Sequence, residues 1–427
     1  MSKLDELIRE YCPDGVEYTP IGDCTEKAKN IKWSTCGSNY AYIDLTSVDR
    51  DTHKITETQT INANNAPSRA QQIVLKDDVL FATTRPTLKR YCFIEEKYDG
   101  QICSTGFCVL RANKNIVSPK WLFHIISSSE FCYYVEANQK GASYPAISDK
   151  KVRQFKIPVP PLPVQSEIVR ILDNFTELTA ELTAELTARK KQYEYYRDKL
   201  LTCDDNIIVK RIGDITQVFS ASRVHKDEWT TEGVPFYRSS DVISYFNGVE
   251  NSRGKAYISK ELYEKLSAKS GKICKDDILI TGGGTIGVPY IVPNDDPIYM
   301  KDADLLCIQH SKEFDSRYLY HYFLSTPFRD YLKGITHDAT IPHYTISQIC
   351  KTPVPLPSLD VQKRIVNVLD NFDAICSDLK IGLPAEIEAR KKQYEYYRDQ
   401  LLTFAESGRM LVDRQTDRQT DRQTEHN

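Results

Sequence analysis

The chain reads as an α+β protein made by internal tandem duplication: two mainly-β globular domains related by pseudo-two-fold symmetry and separated by two long antiparallel coiled-coil helices. Three observations carry that expectation. The fifteen-residue stretch ARKKQYEYYRDxLLT occurs at Ala188–Thr202 and again at Ala389–Thr403, with one mismatch, Lys199 against Gln400. A repeat of that length and fidelity marks a duplication. Two proline clusters open long heptad-like segments, and β-branched and aromatic runs fill the sequence before each cluster.

The duplication extends outward from the signature. PVPPLPVQSEIVRILDNF, ending at Phe175, matches PVPLPSLDVQKRIVNVLDNF, ending at Phe372. Lys76–Leu80 matches Lys275–Leu279, Leu122–His124 matches Leu319–His321, and Ile21–Asp23 matches Ile212–Asp214. Between these anchors the halves diverge: Leu80 leads into FATTRPTLKRYCFI and Leu279 into ITGGGTIGVPYIV. Two domains thus share a scaffold and differ in their loops.

In chain order, residues 1–158 form the first globular domain, with Gln72–Leu75 and Phe107–Leu110 as typical strands. Residues 159–202 form the first helical spacer. Pro158, Pro160, Pro161 and Pro163 bar helix up to that point and permit a fresh start after it. Ile168, Ile171, Phe175, Leu178 and Leu182 follow steps of three and four, the seam of a coiled coil, and Leu186, Tyr193 and Leu200 continue at sevens. Residues 203–354 form the second globular domain and 355–404 the second spacer, where Gly382 and Pro384 break or kink the helix. Residues 405–427 are a charged tail with few apolar side chains, expected to be disordered.

Two short repeats differ in character. Thr179–Leu182 and Thr183–Leu186 are tandem TAEL copies, each about one helical turn. Four added residues lengthen a helix by about 6 Å, against roughly 3.4 Å per DNA base pair, so copy number should alter a spacing. Thr416–Gln419 and Thr420–Gln423 are TDRQ copies that a repeated ACAG tetranucleotide can encode through three frames. That tract is expected to slip and shift the frame near the end of the gene.

Composition excludes several classes. With 427 residues, 41% hydrophobic and 27% charged, the chain is an ordinary globular protein, and its net charge of −3 provides no global basic field. No signal-like start or membrane-length apolar run is present, so a cytoplasmic location is expected. The twelve cysteines include no C-x-x-C pair and are expected to be reduced and mostly buried. Thr281–Gly287 lacks the Lys-Ser or Lys-Thr of a nucleotide-triphosphate loop and reads as a tight turn between strands. No catalytic, cofactor-binding or metal-ligating set emerges.

Candidate DNA-contacting residues come from polar loops that combine donors for phosphates and base edges. In the first half these are Thr83, Thr84, Arg85, Lys89 and Arg90, with Lys140, Ser143 and Tyr144. In the second half they are Arg238, Ser239, Ser240 and Thr285, with His337, His343 and Tyr344.

The doubled signature, the LPxxxQxxIVxxLDNF-like element before it, CPDGVEYTPIGD near the start, STGFCVLRA from Ser104 and GASYPAISDKKVRQFKIPVPPLP from Gly141 together resemble the specificity subunits of type I restriction–modification systems. The resemblance covers residues 1–404 and implies two target-recognition domains, each reading one half of a bipartite asymmetric site in double-stranded DNA. It further implies two modification subunits that bind S-adenosylmethionine and methylate adenine, and two restriction subunits that use ATP and Mg. The chain itself would be non-catalytic and bind no cofactor. Leu178, Leu182, Leu186, Arg189, Lys190, Tyr193 and Tyr196 are the candidates for spacing and partner docking on the first helix. Arg390, Lys391, Tyr394 and Tyr397 are those on the second. A coiled-coil scaffold with no DNA role, an inactive specificity variant, and a fused methyltransferase or nuclease are the competing readings.

Overall fold

The computed structural model describes residues 2–202, 207–249, 251–252, 254–336, 343–377 and 381–403; the tail, its TDRQ copies and His337 lie outside them. The chain divides into two compact units, and the division cuts across chain order. Unit 1 is Met1–Leu182 with the segment from Ile387 onward, and unit 2 is Thr183–Glu386. Each unit thus combines one globular half of the sequence with the signature copy that follows the other half.

The first half supplies α1 (Lys3–Tyr11), β1 (Tyr18–Pro20), β2 (Thr25–Glu26), β3 (Tyr40–Ile43), β4 (Gln59–Ile61), β5 (Ala70–Ile73), β6 (Val79–Ala82), β7 (Tyr91–Phe93), β8 (Ile102–Ser104) and β9 (Phe107–Ala112). After these come α2 (Pro119–Ser127), α3 (Ser129–Asn138), α4 (Asp149–Gln154), β10 (Lys156–Pro158) and the long α5 (Leu162–Leu201). The second half supplies β11 (Val209–Arg211), α6 (Ile212–Ile215), β12 (Val218–Phe219), β13 (Trp229–Thr230), β14 (Val234–Tyr237), α7 (Ser239–Phe246), β15 (Tyr257–Ile258), α8 (Lys260–Ser270), β16 (Ile278–Thr281), β17 (Pro289–Ile291), β18 (Tyr299–Met300) and β19 (Leu305–Ile308). It closes with α9 (Ser316–Leu324), α10 (Thr326–Thr336), α11 (Ile346–Lys351), β20 (Pro353–Pro355), α12 (Leu359–Ser377) and α13 (Leu383–Leu402). Helix α12 ends at Ser377 and α13 starts at Leu383, with Gly382 just before it and Pro384 in its first turn, an interruption that the sequence predicts.

The same sheets are built twice. In unit 1 they run β2-β9-β6-β7, β4-β3-β8-β5 and β1-β10; in unit 2 they run β12-β19-β16-β17, β13-β15-β14-β18 and β11-β20. The first of each set is antiparallel, and the second of each contains one parallel pair, β3 with β8 and β14 with β18. The central strand is buried on both faces. Val79 and Phe81 join the helical core, while Leu80 and Ala82 face a second cluster with Ile43 and Val109. Strand β16 repeats the pattern, with Ile278 and Ile280 on one side and Leu279 on the other.

The repeated sequence anchors each have a structural task. In the KDD anchors the first aspartate takes a left-handed backbone, φ 73° at Asp77 and 66° at Asp276. The second is buried and accepts the backbone N–H three residues earlier: Leu75 N–H to Asp78 Oδ2 and Cys274 N–H to Asp277 Oδ2, both 2.8 Å. The glutamine of the proline-rich anchor is fully buried at Gln165 and Gln362. Gln165 accepts from Ser118 N–H and donates to the Pro160 carbonyl; Gln362 accepts from Asp315 N–H and donates to that of Pro357. Each ties the start of a long helix to the entry of a largely buried helix, α2 or α9, and satisfies its polar groups there.

Helix α5 keeps part of the expected seam and turns part of it toward the globular core. Val164, Gln165, Glu167, Ile168 and Leu172 are its buried residues in unit 1, whereas Ile171 is half-buried and Leu178 is 46% exposed. Steps of four follow the face turned toward the globular core, and the seam residue Phe175 stacks on Tyr397 of α13. The TAEL copies straddle the division between the units, and none of their residues is buried.

The signature copies dock by one geometry. In unit 2 the Tyr193 hydroxyl lies 3.0 Å from His321 Nδ1, and His321 Nε2 lies 2.7 Å from Asp370 Oδ1. In unit 1 Tyr394 lies 3.0 Å from His124 Nδ1, and His124 Nε2 lies 3.0 Å from Asp173 Oδ1. Four residues beyond each tyrosine an arginine covers its ring, and the next aspartate accepts the first N–H of a surface helix: Asp198 from Thr326 and Asp399 from Ser129. A carboxylate there satisfies an orphan donor and meets the positive end of the helix dipole. Both histidines are fully buried. Burial pushes the His124 pKa down against the opposing pull of Asp173. Burial alone would raise Asp173 and Asp370, but the histidine hydrogen bonds, with Lys120 and Arg317, hold both below the usual range.

This corrects two docking assignments. Tyr193 is buried and Tyr394 half-buried, each turned into its own unit with its hydroxyl on a histidine, and Tyr394 also on Ser127 Oγ at 3.4 Å, so both serve the core first. Tyr196 and Tyr397 stack on Phe372 and Phe175 at 5.7 and 5.5 Å. The more exposed rings are Tyr195 and Tyr396, 60% and 49% accessible, which the sequence reading left out of the docking set. Arg189 and Arg390 each reach a glutamine three residues on, and Lys190 and Lys391 are exposed.

Candidate nucleic-acid interface

In unit 1 the two candidate loops, 83–90 between β6 and β7 and 139–148 between α3 and α4, are zipped together. Ile147 N–H donates to the Thr83 carbonyl at 2.9 Å and Arg85 N–H to that of Pro145 at 2.7 Å. Thr84 bridges to Ala146, and Lys140 exchanges 2.8 Å hydrogen bonds with Ala146 in both directions. A short 3-10 turn, Pro86–Leu88, is flanked by left-handed residues at Arg85 and Lys89, φ 48° and 51°. The Arg85 guanidinium lies over the Tyr144 ring, 4.3 Å from its centroid.

Among the described residues, the equivalent loops in unit 2 share two of these contacts. Tyr344 N–H donates to the Gly282 carbonyl at 2.9 Å, Gly283 bridges to His343, and Gly282 N–H donates to the Asp304 carbonyl. A Cβ at Gly282 would sit 2.9 Å from the Tyr344 carbonyl oxygen, so the approach as built in unit 2 leaves no room for a side chain there. Thr281 Oγ1 closes the turn by donating to the Thr285 carbonyl and accepting from Val288 N–H. The glycine-rich run is therefore a tight connection between β16 and β17, as expected from sequence.

Exposure sorts the candidates. Arg85, Lys89, Lys140, Ser143, Tyr144, Thr285 and His343 are exposed and Thr84 half-exposed. Several others are corrected to scaffold roles. Thr83 is buried and donates to the Gly106 carbonyl. Arg90 is half-buried and donates to the Leu45 carbonyl, tethering a third loop, 44–56. Arg238 is buried in a two-pronged ion pair with Asp241, and Ser239 donates to the Asp304 carbonyl. Ser240 is half-buried beside the Asn251 amide, and Tyr344 is 1% exposed with its hydroxyl against Thr352. Side chains so held support the loops and cannot reach a base edge without breaking those bonds.

Loop 44–56 was not among the predicted elements of the site. Its His53 has a left-handed backbone and stacks on Tyr91 at 3.8 Å, and its Nδ1 is buried with no hydrogen-bond partner. Burial pushes its pKa down to about 4. The unfolded chain therefore takes up a proton first as pH falls below 6.5, and stability declines from there toward pH 4. We expect acidification from pH 7 to pH 4.5 to cost the wild type about 2 kcal/mol through this group. A His53→Asn variant, which tolerates the backbone, should lower stability at pH 7 and flatten the decline; an unchanged pH slope in urea titrations would refute the assignment.

Among the described residues no cluster of His, Cys, Asp or Glu could hold a metal ion, and no helix is long and apolar enough to cross a membrane. All eleven described cysteines are free thiols, seven of them buried.

The family model for the type I restriction modification DNA specificity domain matches residues 13–189 and again residues 205–389. The chain is 34% identical over 302 residues to a type I restriction enzyme specificity subunit of Haemophilus influenzae, covering 68% of this chain and 74% of that one. It is 29% identical over 429 residues to the EcoR124I/EcoR124II specificity subunit of Escherichia coli, covering 95% and 97%. A chain solved in work on complex assembly and conformational transition of the type I system superposes with a TM-score of 0.66 at 22% identity, covering 91% of this chain and 98% of that one. The Mycoplasma genitalium specificity subunit gives 0.51 at 14%, over 92% and 97%. These structural likenesses concern the fold.

Proposed function

The chain belongs to the type I restriction–modification DNA specificity family and is a non-catalytic DNA-recognition subunit; from that premise we propose that it reads a bipartite, asymmetric double-stranded DNA target, one half-site per unit. The observation that carries this reading is the loop pair that recurs in equivalent positions of the two units with different side chains at its tip: Arg85, Lys89 and Tyr144 in one, Gly284, Thr285 and His343 in the other. A shared frame with unlike tips suits two different half-sites.

In this reading the chain binds no cofactor. Two modification subunits bring S-adenosylmethionine and methylate adenine in each half-site, and two restriction subunits bring ATP and Mg. The exposed signature residues, Arg189, Lys190, Lys391 and the outer tyrosines, offer charge and aromatic surface for docking them. Because the net charge is −3, phosphate neutralisation falls mainly to the assembled complex. The TAEL copies set the gap: they are outside both cores, so a copy can be added or removed without a cavity.

The test is co-expression with the modification subunit in a methylation-free host, followed by mapping of methyladenine. A split motif with a fixed gap is expected. Deleting one TAEL copy should leave both half-sites intact and shorten the gap by one or two base pairs, since about 6 Å is lost. A soluble complex that methylates nothing would favour an inactive variant, and one that methylates without sequence preference would favour a scaffold.

A further inference from the structure

We propose that Arg85 and Tyr144 act as one planar reader that selects a guanine in the half-site read by unit 1; the inference rests on the function proposed above and adds a base identity to it. The starting observation is backbone strain at an exposed loop tip. Arg85 sits in the left-handed region at φ 48°, where side chains other than glycine, asparagine and aspartate are unfavourable. The repeat supplies the comparison. The KDDVLFATTRP and KDDILITGGGT segments place Gly284 opposite Arg85, and Gly284 has φ 74°. The fold accepts a relaxed glycine there, and unit 1 holds an arginine instead. Strain of this kind persists only where surrounding bonds over-determine it and points to a task for the side chain. Here the bonds are Arg85 N–H to the Pro145 carbonyl, the Thr84–Ala146 bridge, and the fixed ring of Pro86.

The second observation is preorganisation. Tyr144 is 70% exposed, and its ring, set by the zipped loop, lies under the guanidinium. Stacking on an aromatic face holds Arg85 in one plane and leaves its edge donors free. Among the described residues no carboxylate pairs with it, whereas Arg90 at the end of the same loop and Arg238 in the other unit are both bonded within the fold. A planar fork with free donors matches the O6 and N7 acceptors of guanine in the major groove, a pairing that an ammonium cannot reproduce in two-pronged form. Lys89 and Lys140, exposed on the same two loops, are point charges suited to the flanking phosphates. In unit 2 the corresponding tip is Gly284, so no guanidinium occupies that place and the second half-site must be read by other groups.

The Arg85→Gly variant is the decisive one, because it installs the residue the other unit carries at this position and should not unfold the loop. In complex with the modification subunit, wild type, Arg85→Gly, Arg85→Lys, Tyr144→Phe and Tyr144→Ala are compared on a library of duplexes at fixed salt. Arg85→Gly and Arg85→Lys should each lose about tenfold or more discrimination at a single G·C pair in one half-site, with the other half-site unchanged. Tyr144→Phe should behave as wild type, and Tyr144→Ala should lose part of the same discrimination. Uniform weakening across all sequences with a shallower salt dependence would make Arg85 a phosphate contact and overturn the proposal, as would unaltered selectivity. A wild-type complex that selects no sequence would instead remove the function on which the proposal rests.

Discussion

Replacing Leu401 and Leu402 together by alanine is expected to unfold the N-terminal half of the protein while leaving the half nearer the substitutions in sequence intact. The two leucines end α13 and are 8% and 3% exposed in the core that contains Trp121, Phe131 and Leu172. Each buried Leu→Ala change costs about 2–5 kcal/mol from lost transfer energy and the cavity left behind. About 4–10 kcal/mol for the pair is comparable to the whole stability of an ordinary domain. Hydrogen exchange on the full-length chain reads the outcome. Protection should collapse in peptides from residues 1–182 and persist in those from 207–336. Loss confined to the C-terminal helix would mean that it contributes little to the unit 1 core.

Substituting His321 by alanine should cost unit 2 about 2–4 kcal/mol, and His124→Ala should do the same to unit 1. Each change empties a fully buried site, takes the histidine partner from Tyr193 or Tyr394, the latter keeping Ser127 Oγ at 3.4 Å, and removes the imidazole donor to Asp370 or Asp173. The carboxylates are about 35% exposed, so water offsets part of the loss. Tyr394→Phe, which removes one hydroxyl and leaves the packing, should cost about 1–2 kcal/mol. Urea unfolding with hydrogen exchange as the local probe checks both the size and the unit affected. An effect under about 0.5 kcal/mol would assign the histidines to filling space alone.

The two experiments bear on the same design. The signature repeats because each copy does one job, presenting tyrosine, arginine and aspartate to a His–Asp pair and a helix start. The Leu-x-His and LDNF anchors were visible as repeated sequence, but nothing in them says that His124 meets a tyrosine 270 residues away. Likewise the loops of the interface were legible as polar segments between strands, yet Arg238, Ser239 and Tyr344 could not be told from Arg85 and Tyr144 by residue type. Burial separates them, and burial is decided by what packs alongside. The seam predicted for α5 was legible, but its partners were not: periodicity identifies an apolar face and not what covers it, and Ile168 met the globular core while Phe175 met Tyr397 of α13.

By itself the sequence determined the duplication, the mixed α+β class, the two helical spacers with their break at Gly382 and Pro384, and the family, because those are properties of local pattern and repeated words along one chain. Only the tertiary structure decided that each signature copy completes the core belonging to the other half of the sequence, and which loop side chains remain free to meet a ligand. Those outcomes depend on contacts between residues far apart in the chain, where an apolar face or a hydrogen-bonding group finds its partner through space.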